Sequence, residues 1–159
     1  MNRNGFTLAE MVAVIAILMI LALLSTPFVK GYIDDSYNGK AQVFLRQLNE
    51  ARLNFEKDYP GTTVQGDFDY EVTGSCNDIN SIYGSNNIVS PAMLVRCNYI
   101  KVPTDLQGRY SFKVGSASAS CSACTNSMVS MSGDNKAGIY QGKCACADAL
   151  GSFFKENMD

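Results

Sequence analysis

An unbroken apolar run extends from Met11 to Leu24, and polar residues interrupt the wider segment 6–29 at only a few places. A helix rises about 1.5 Å per residue, so this segment would be roughly 36 Å long, which is enough to cross a bilayer. We therefore predict a transmembrane helix over residues 6–29.

Beyond this segment, apolar residues recur every three or four positions between Gly31 and Lys57, which is the spacing of one helix face. The apolar stripe consists of Tyr37, Ala41, Phe44, Leu48, Ala51 and Phe55. The pattern predicts an amphipathic helix over residues 30–58. We expect the stripe to pack on the chain's own globular part, with contact to neighbouring subunits as the alternative.

Helix-weakening residues lie at the junction between the two helical segments. Pro27 removes one backbone hydrogen bond, and Gly31 and Gly39 each weaken a helix by about 1 kcal/mol relative to alanine. We therefore expect a flexible junction between the membrane-spanning helix and the head. The Asp58–Gly61 stretch is expected to stop the upper helix.

Residues 59–159 are predicted to form a globular head that is rich in Gly, Ser, Asn and Thr and therefore in loops. Its predicted elements are an extended piece at Phe68–Val72, a short helix with Ser90 as N-cap, Pro91 in its first turn and Cys97 near its end, a strand at Arg109–Val114, and an amphipathic turn at Asp148–Phe154. A hairpin is predicted from Thr125–Met131 and Gly138–Cys144, with Ser132–Lys136 as its loop.

All six cysteines lie in the head. An even number in an exported small domain favours disulfides, and six cysteines allow fifteen pairings. The predicted hairpin would bring Cys124 to Cys144 and Cys121 to Cys146, which leaves Cys76 for Cys97. A local bridge between Cys121 and Cys124 is the main alternative.

Two metal sites were considered as alternatives. The first is a four-thiolate zinc site built from Cys121-x-x-Cys124 and Cys144-x-Cys146, whose second spacing is too short for a zinc knuckle. The second is a calcium site at Asp67, Asp69 and Glu71, whose spacing is not that of an EF-hand. Structural disulfides and a solvated acidic stretch explain these residues better, so we predict no metal and no cofactor.

The composition argues against several functions. The formal net charge is −2, so the chain has no basic footprint for nucleic acid. Histidine, the commonest general base, is missing from the sequence. No nucleophile and base occur in a recognisable arrangement, and we therefore predict that the protein is not an enzyme.

The N-terminus differs from an ordinary signal peptide. The leader Met1–Gly5 has one cationic side chain, Arg3, and no small-x-small cleavage site follows the apolar run. Glu10 places a carboxylate near the start of an apolar helix, where it costs up to about 3 kcal/mol at the centre of a bilayer.

Gly5-Phe6-Thr7-Leu8-Ala9-Glu10, followed by the apolar run and Pro27, resembles the class III signal of type IV pilins and pseudopilins. The resemblance covers roughly the first 30 residues. It implies that a prepilin peptidase cuts after Gly5 and methylates the new N-terminal residue, Phe6. It also implies that Glu10 receives the Phe6 ammonium of a neighbouring chain, and that Pro27 bends the helix. Met19 stands where many pilins have a glycine, which leaves open whether the helix melts in a filament.

The implied fold is α+β: a long N-terminal helix, transmembrane in its lower half and amphipathic in its upper half, packed on a small antiparallel sheet with disulfides. The implied domains are a leader at 1–5, a transmembrane and filament-core helix at 6–29, an amphipathic helix at 30–58 and a head at 59–159.

The implied function is that of a structural subunit of a type IV pilus, for adhesion, twitching motility or DNA uptake. The partners would be identical subunits, the prepilin peptidase, the assembly platform with its ATPases, and the membrane before assembly. The precursor would lie in the bacterial cytoplasmic membrane and the assembled protein in an extracellular pilus. The alternatives are a type II secretion pseudopilin or minor pilin and, from a different class, a membrane-anchored enzyme or metal-binding domain.

Overall fold

The computed structural model describes residues 6–76, 88–115, 124, 129–147 and 153–156, but not the side chains of 25–28 and 153–156. Its largest element is helix α1, Leu8–Asp58, which contains both helical segments expected from the sequence. The helix assignment continues through Pro27. At its end the Tyr59 N–H donates to the Phe55 carbonyl, and Pro60 follows immediately.

The head contains an antiparallel sheet whose strands are short. The strands are β1 (Thr63–Val64), β2 (Gly66–Asp67), β3 (Ile88–Val89), β4 (Tyr110–Val114), β5 (Val129–Gly133), β6 (Cys144–Ala147) and β7 (Phe153–Glu156). Among the described residues the main sheet has the order β2-β4-β5-β6-β7, and β1 and β3 form a separate parallel pair. A short helix α2, Ala92–Arg96, and two 3-10 turns, Thr104–Leu106 and Gly138–Tyr140, connect the strands. The observed architecture is the α+β fold expected from the sequence.

The apolar stripe of α1 packs on this sheet, as predicted. Phe44, Leu48 and Phe55 are buried, together with alternate residues of β4 and most residues of β5. The ring of Phe44 meets that of Phe112 edge to face at 4.8 Å between centroids. The core therefore lies between the upper half of α1 and one face of the sheet, and burial of these side chains holds the head to the helix.

The predicted β5–β6 hairpin has the wrong register. The structure places Ser132, rather than Cys124, opposite Cys144. The strand does not stop before Ser132 because Gly133 donates its N–H to the Lys143 carbonyl and accepts from the Gly142 N–H. A Cβ at Gly133 would overlap the Tyr140 carbonyl oxygen, so close packing explains this glycine.

The shifted register changes the disulfides. One bridge joins Cys76 to Cys97, the pairing that the sequence favoured. A second joins Cys124 to Cys146, so neither the expected Cys124–Cys144 and Cys121–Cys146 bridges nor the alternative Cys121–Cys124 bridge is correct. Cys144 is also disulfide-bonded, and Cys121 lies outside the described residues. Three sulfurs of the suggested zinc site are therefore not free thiolates.

Other local predictions were partly wrong. Phe68–Val72 contains no strand, because the chain leaves β2 after Asp67 and Tyr70 turns to donate its hydroxyl to the Tyr110 carbonyl. Helix α2 exists, but Pro91 is its N-cap and Ser90 makes no side-chain cap. In the predicted Asp148–Phe154 turn, residues 153 and 154 belong to β7, and 148–152 lie outside the described residues.

Candidate functional site

The lower half of α1 has no cover within its own fold. The large apolar side chains from Phe6 to Leu24 are exposed, and the most apolar part of the helix is long and hydrophobic enough to cross a membrane. Such a surface needs either lipid or other protein around it. It therefore provides the anchoring element of the molecule.

The N-terminus of α1 is closed by a capping box between Thr7 and Glu10. The Thr7 hydroxyl accepts from the Glu10 N–H at 3.3 Å. The Glu10 carboxylate in turn accepts from the Thr7 N–H at 2.7 Å and from the Thr7 hydroxyl at 2.9 Å. This reciprocal arrangement satisfies backbone donors that the first helical turn would otherwise leave without partners.

The capping box fixes the position of the acidic group. Both bonds from Thr7 end on Oε2 of Glu10, and among the described residues no hydrogen bond reaches Oε1. The carboxylate is exposed and lies at the positive end of the helix dipole. Glu10 is thus pre-oriented beside the N-terminus of its own helix, with one oxygen open to another donor.

The structure describes some of the other residues of the predicted signal but not all of them. Gly5 lies outside the described residues, and Phe6 is exposed. Pro27 lies inside α1. The sequence analysis did not single out Thr7 as a capping residue, although Thr-x-x-Glu before an apolar run is the usual signature of a capping box and could have identified it.

A second polar cluster fastens the base of the head to α1. Asp34 accepts the Ile139 N–H at 3.3 Å, and Asp35 accepts the Tyr140 hydroxyl. Gly138 has φ +63°, and a Cβ there would overlap the Asp34 carboxylate. The 3-10 turn Gly138–Tyr140 is therefore held against the helix by polar contacts that only a glycine at position 138 allows. Gly31 lies below this contact and Gly39 above it, so the head begins between the two.

Cationic side chains complete the lower edge of the head. Arg109 stacks over the Tyr37 ring at 4.0 Å from its centroid, and Lys40 pairs with Asp105 at 2.9 Å. The Lys40 pair is half exposed and contributes little to stability, whereas the Arg109 contact covers the lowest aromatic residue of the stripe.

Four tyrosines of the head have hydroxyls whose pKa lies above its ordinary value. Burial raises the pKa of Tyr110 to about 12, and burial also raises the pKa of Tyr70. The hydrogen bond to Asp58 raises the pKa of Tyr99 to about 12. The hydrogen bond to Asp35 raises the pKa of Tyr140. In each case the neutral hydroxyl is the form that the folded head stabilises.

These shifts predict a loss of stability at alkaline pH. Each tyrosine ionises near pH 10 in the unfolded chain and higher in the folded one, so its contribution is complete below about pH 10 and is lost as the pH rises through the folded pKa, which is about 12 for Tyr99 and Tyr110. Urea unfolding of the protein in detergent micelles, followed by circular dichroism, should show a constant free energy of unfolding up to about pH 10 and a decline above it. A constant value up to about pH 12 would contradict the assigned shifts.

A family model described as the prokaryotic N-terminal methylation motif matches residues 1–26. The comparisons find no match among curated proteins and none among solved structures. The matched segment contains Gly5, Phe6 and Glu10 and ends inside the exposed apolar helix. The chain therefore carries a type IV pilin or pseudopilin type of prepilin signal.

The signal over residues 1–26 and the α+β fold support the type IV pilin or pseudopilin class, whose members are generally structural. The precursor is anchored in the membrane by the apolar half of α1, and its motif implies processing by a prepilin peptidase.

Proposed function

We propose that this chain is a structural subunit of a type IV pilus, cut after Gly5, methylated on Phe6 and polymerised through residues 6–29. The observation that supports this proposal most strongly is the combination of an uncovered apolar helix with a carboxylate oriented at its first turn. In this division, residues 1–5 are the leader, 30–58 join the filament core to the head, and 59–159 form the outer surface.

Assembly exchanges lipid for neighbouring helices around the apolar segment. Because hydrocarbon chains and apolar side chains have similar polarity, the exchange itself provides little orientation. Orientation comes from charge: the new ammonium on Phe6 would be buried and needs an anion. The open oxygen of Glu10 in an adjacent subunit can supply it, and a slipped subunit would leave both charges unpaired. Glu10 thereby sets the axial register.

The closest alternative is a pseudopilin of a type II secretion system, or a minor pilin. The disulfides Cys76–Cys97 and Cys124–Cys146 favour a filament exposed outside the cell, where covalent bridges protect a small loop-rich head. Adhesion, twitching motility or DNA uptake would then depend on the head surface and on separate assembly ATPases.

Maturation has a direct signature in the mass of the protein. Protein purified from its native membrane should lack Met1–Gly5 and carry one additional methyl group on the Phe6 nitrogen. Intact-mass and N-terminal peptide analysis measure both changes at once. A retained leader would contradict the proposed processing, and a cut chain without the methyl group would contradict only the methylation.

The pilus itself is tested by electron microscopy of material sheared from the cell surface. Long filaments labelled along their length by an antibody against the head would support a major pilin. Labelling only at the ends would indicate a minor pilin, and the complete absence of labelled filaments would favour the pseudopilin.

A further inference from the structure

The 3-10 turn Gly138–Tyr140 presents an apolar side chain at the lower edge of the head. Ile139 is 57% exposed, although its own N–H is bonded to Asp34. The backbone of the turn is thus tied to α1 while the side chain points away from the core. This isoleucine is one of the few large apolar side chains of the described head that are left exposed.

The helix determines how high this turn lies above the membrane. The apolar segment ends at Val29, and the turn is bonded to Asp34 and Asp35. Five or six residues of helix, at about 1.5 Å each, place the contact roughly 8 Å beyond the end of the segment. The polar headgroup layer on each side of a bilayer is about 5–7 Å thick. The base of the head is therefore at the outer boundary of the lipid headgroups.

The intervening helix has side chains typical of a membrane interface. Lys30 is exposed, and Tyr32 is 77% exposed. Tyrosines concentrate where headgroups meet the hydrocarbon, and lysines extend their charge toward phosphates. The exposed side chain of Lys136 lies in the connection that leads into the turn. Asp34 and Asp35, the carboxylates nearest the turn, are occupied by hydrogen bonds from the turn itself. An apolar tip with lysines in the adjoining segments matches a lipid surface better than open water.

We propose that, in the membrane-anchored precursor, the Gly138–Tyr140 turn is seated at the outer boundary of the headgroup layer with the Ile139 side chain inserted among the headgroups. The lipid surface is the occupant because the turn is hydrogen-bonded to the membrane-spanning helix and lies at the edge of the headgroups. The contact orients the head relative to the bilayer and must break when the subunit leaves the membrane. This inference depends on membrane anchoring and not on the identity of the filament.

The sequence contains no tryptophan, which allows a single fluorescent reporter. The full chain with Ile139→Trp is reconstituted in nanodiscs of phosphatidylethanolamine and phosphatidylglycerol, with and without a nitroxide on the lipid headgroup. We expect the headgroup nitroxide to remove most of the indole emission. A nitroxide deep in the acyl chains should quench it much less.

The matched control is Ile88→Trp. Ile88 is 59% exposed, but it lies in β3 beside β1, which follows the upper end of α1. Its indole should be quenched several-fold less than the indole at position 139. Leu21→Trp, within the exposed apolar helix, should respond to the acyl-chain nitroxide and reports on membrane anchoring.

The three variants separate the possible errors. Equal quenching at positions 139 and 88, with normal acyl-chain quenching at position 21, would overturn the headgroup contact and leave anchoring intact. Weak quenching at all three positions would overturn anchoring itself. Quenching at 139 that is weak in nanodiscs with several chains and strong in nanodiscs with one chain each would show that a second copy, and not lipid, covers the turn.

A measurement on the unsubstituted chain guards against a misfolded variant. In nuclear magnetic resonance spectra of methyl-labelled isoleucines, the headgroup nitroxide should broaden the Ile139 signal and leave the Ile88 signal sharp. Equal line widths for the two would contradict the proposal, whatever the tryptophan variants show.

Discussion

Replacing Glu10 with glutamine is expected to abolish filament assembly while the chain still folds and inserts into the membrane. Glutamine can accept the Thr7 N–H as glutamate does, so the capping box survives. The Phe6 ammonium of a neighbour would then be buried without an anion, at a cost of about 3–5 kcal/mol, which corresponds to at least a 100-fold loss of incorporation. Sheared filaments are quantified against membrane-bound precursor.

The matched control for this result is Thr7→Val, which keeps the carboxylate and removes the hydroxyl of the capping box. Loss of an N-cap costs about 1 kcal/mol, so we expect filament yield to fall modestly. Should Thr7→Val reduce filaments as strongly as Glu10→Gln, a change that keeps the carboxylate would be as damaging as one that removes its charge, and the register hypothesis would be wrong. Normal filaments from Glu10→Gln would lead to the same conclusion.

Replacing Phe55 with alanine is expected to lower the free energy of unfolding of the head by about 3–5 kcal/mol. Phe55 is completely buried, and its ring contacts Tyr59 at 4.8 Å and Tyr99 at 5.4 Å between centroids. The cavity would lie where α1 meets the segment after α2, far from the membrane-spanning part. Urea unfolding of the full chain in micelles, followed by near-ultraviolet circular dichroism, measures the change.

Val43→Ala is the control on the same helix, because Val43 is 57% exposed and packs little within its own chain. Its effect should remain within about 0.5 kcal/mol. A loss at Val43 comparable with that at Phe55 would mean that the observed packing of α1 on the sheet is not the one that stabilises the head in solution.

Glu10→Gln tests the lower half of α1, which we propose to assemble with neighbours, and Phe55→Ala tests the upper half, which packs on the head. The lower half of α1 gains nothing from its own fold, since its side chains are exposed, and it depends on lipid or neighbours. The upper half is stabilised by the head and would remain attached to it in either environment. The polar contacts of Asp34 and Asp35 with the Gly138–Tyr140 turn lie at the boundary between the uncovered lower half of α1 and the upper half that the head covers.

Much of this arrangement could be predicted because its signals are local. The apolar residues from Tyr37 to Phe55 recur with the helix period and therefore form one apolar face, which is the face that packs on the head. Strand β4 alternates apolar and polar residues, and its apolar residues Tyr110, Phe112 and Val114 are buried. Even Thr7, which the sequence analysis missed, belongs to a four-residue pattern that needs no tertiary information.

The errors arose where the outcome depends on contacts distant in sequence. Asp35 and Tyr140 are 105 positions apart, and no periodicity relates them. The Ser132–Gly133 pair has the composition of a turn, yet the hydrogen bonds of Gly133 with Lys143 and Gly142 keep it in a strand. Because the strand extends beyond its predicted end, the register between β5 and β6 differs from the predicted one. Cys124 therefore pairs with Cys146 instead of Cys144.

The sequence by itself determined the membrane-spanning helix, its cleavage and methylation signal, the acidic residue that follows it, and the face of the upper helix that is buried. These depend on residue type and on spacing along one helix, which the chain carries locally. The tertiary structure alone decided the β5–β6 register, the Cys124–Cys146 bridge and the position of the Gly138–Tyr140 turn on α1. The physical reason is that many registers have similar local energies, and only the packing of the whole sheet against α1 selects one of them.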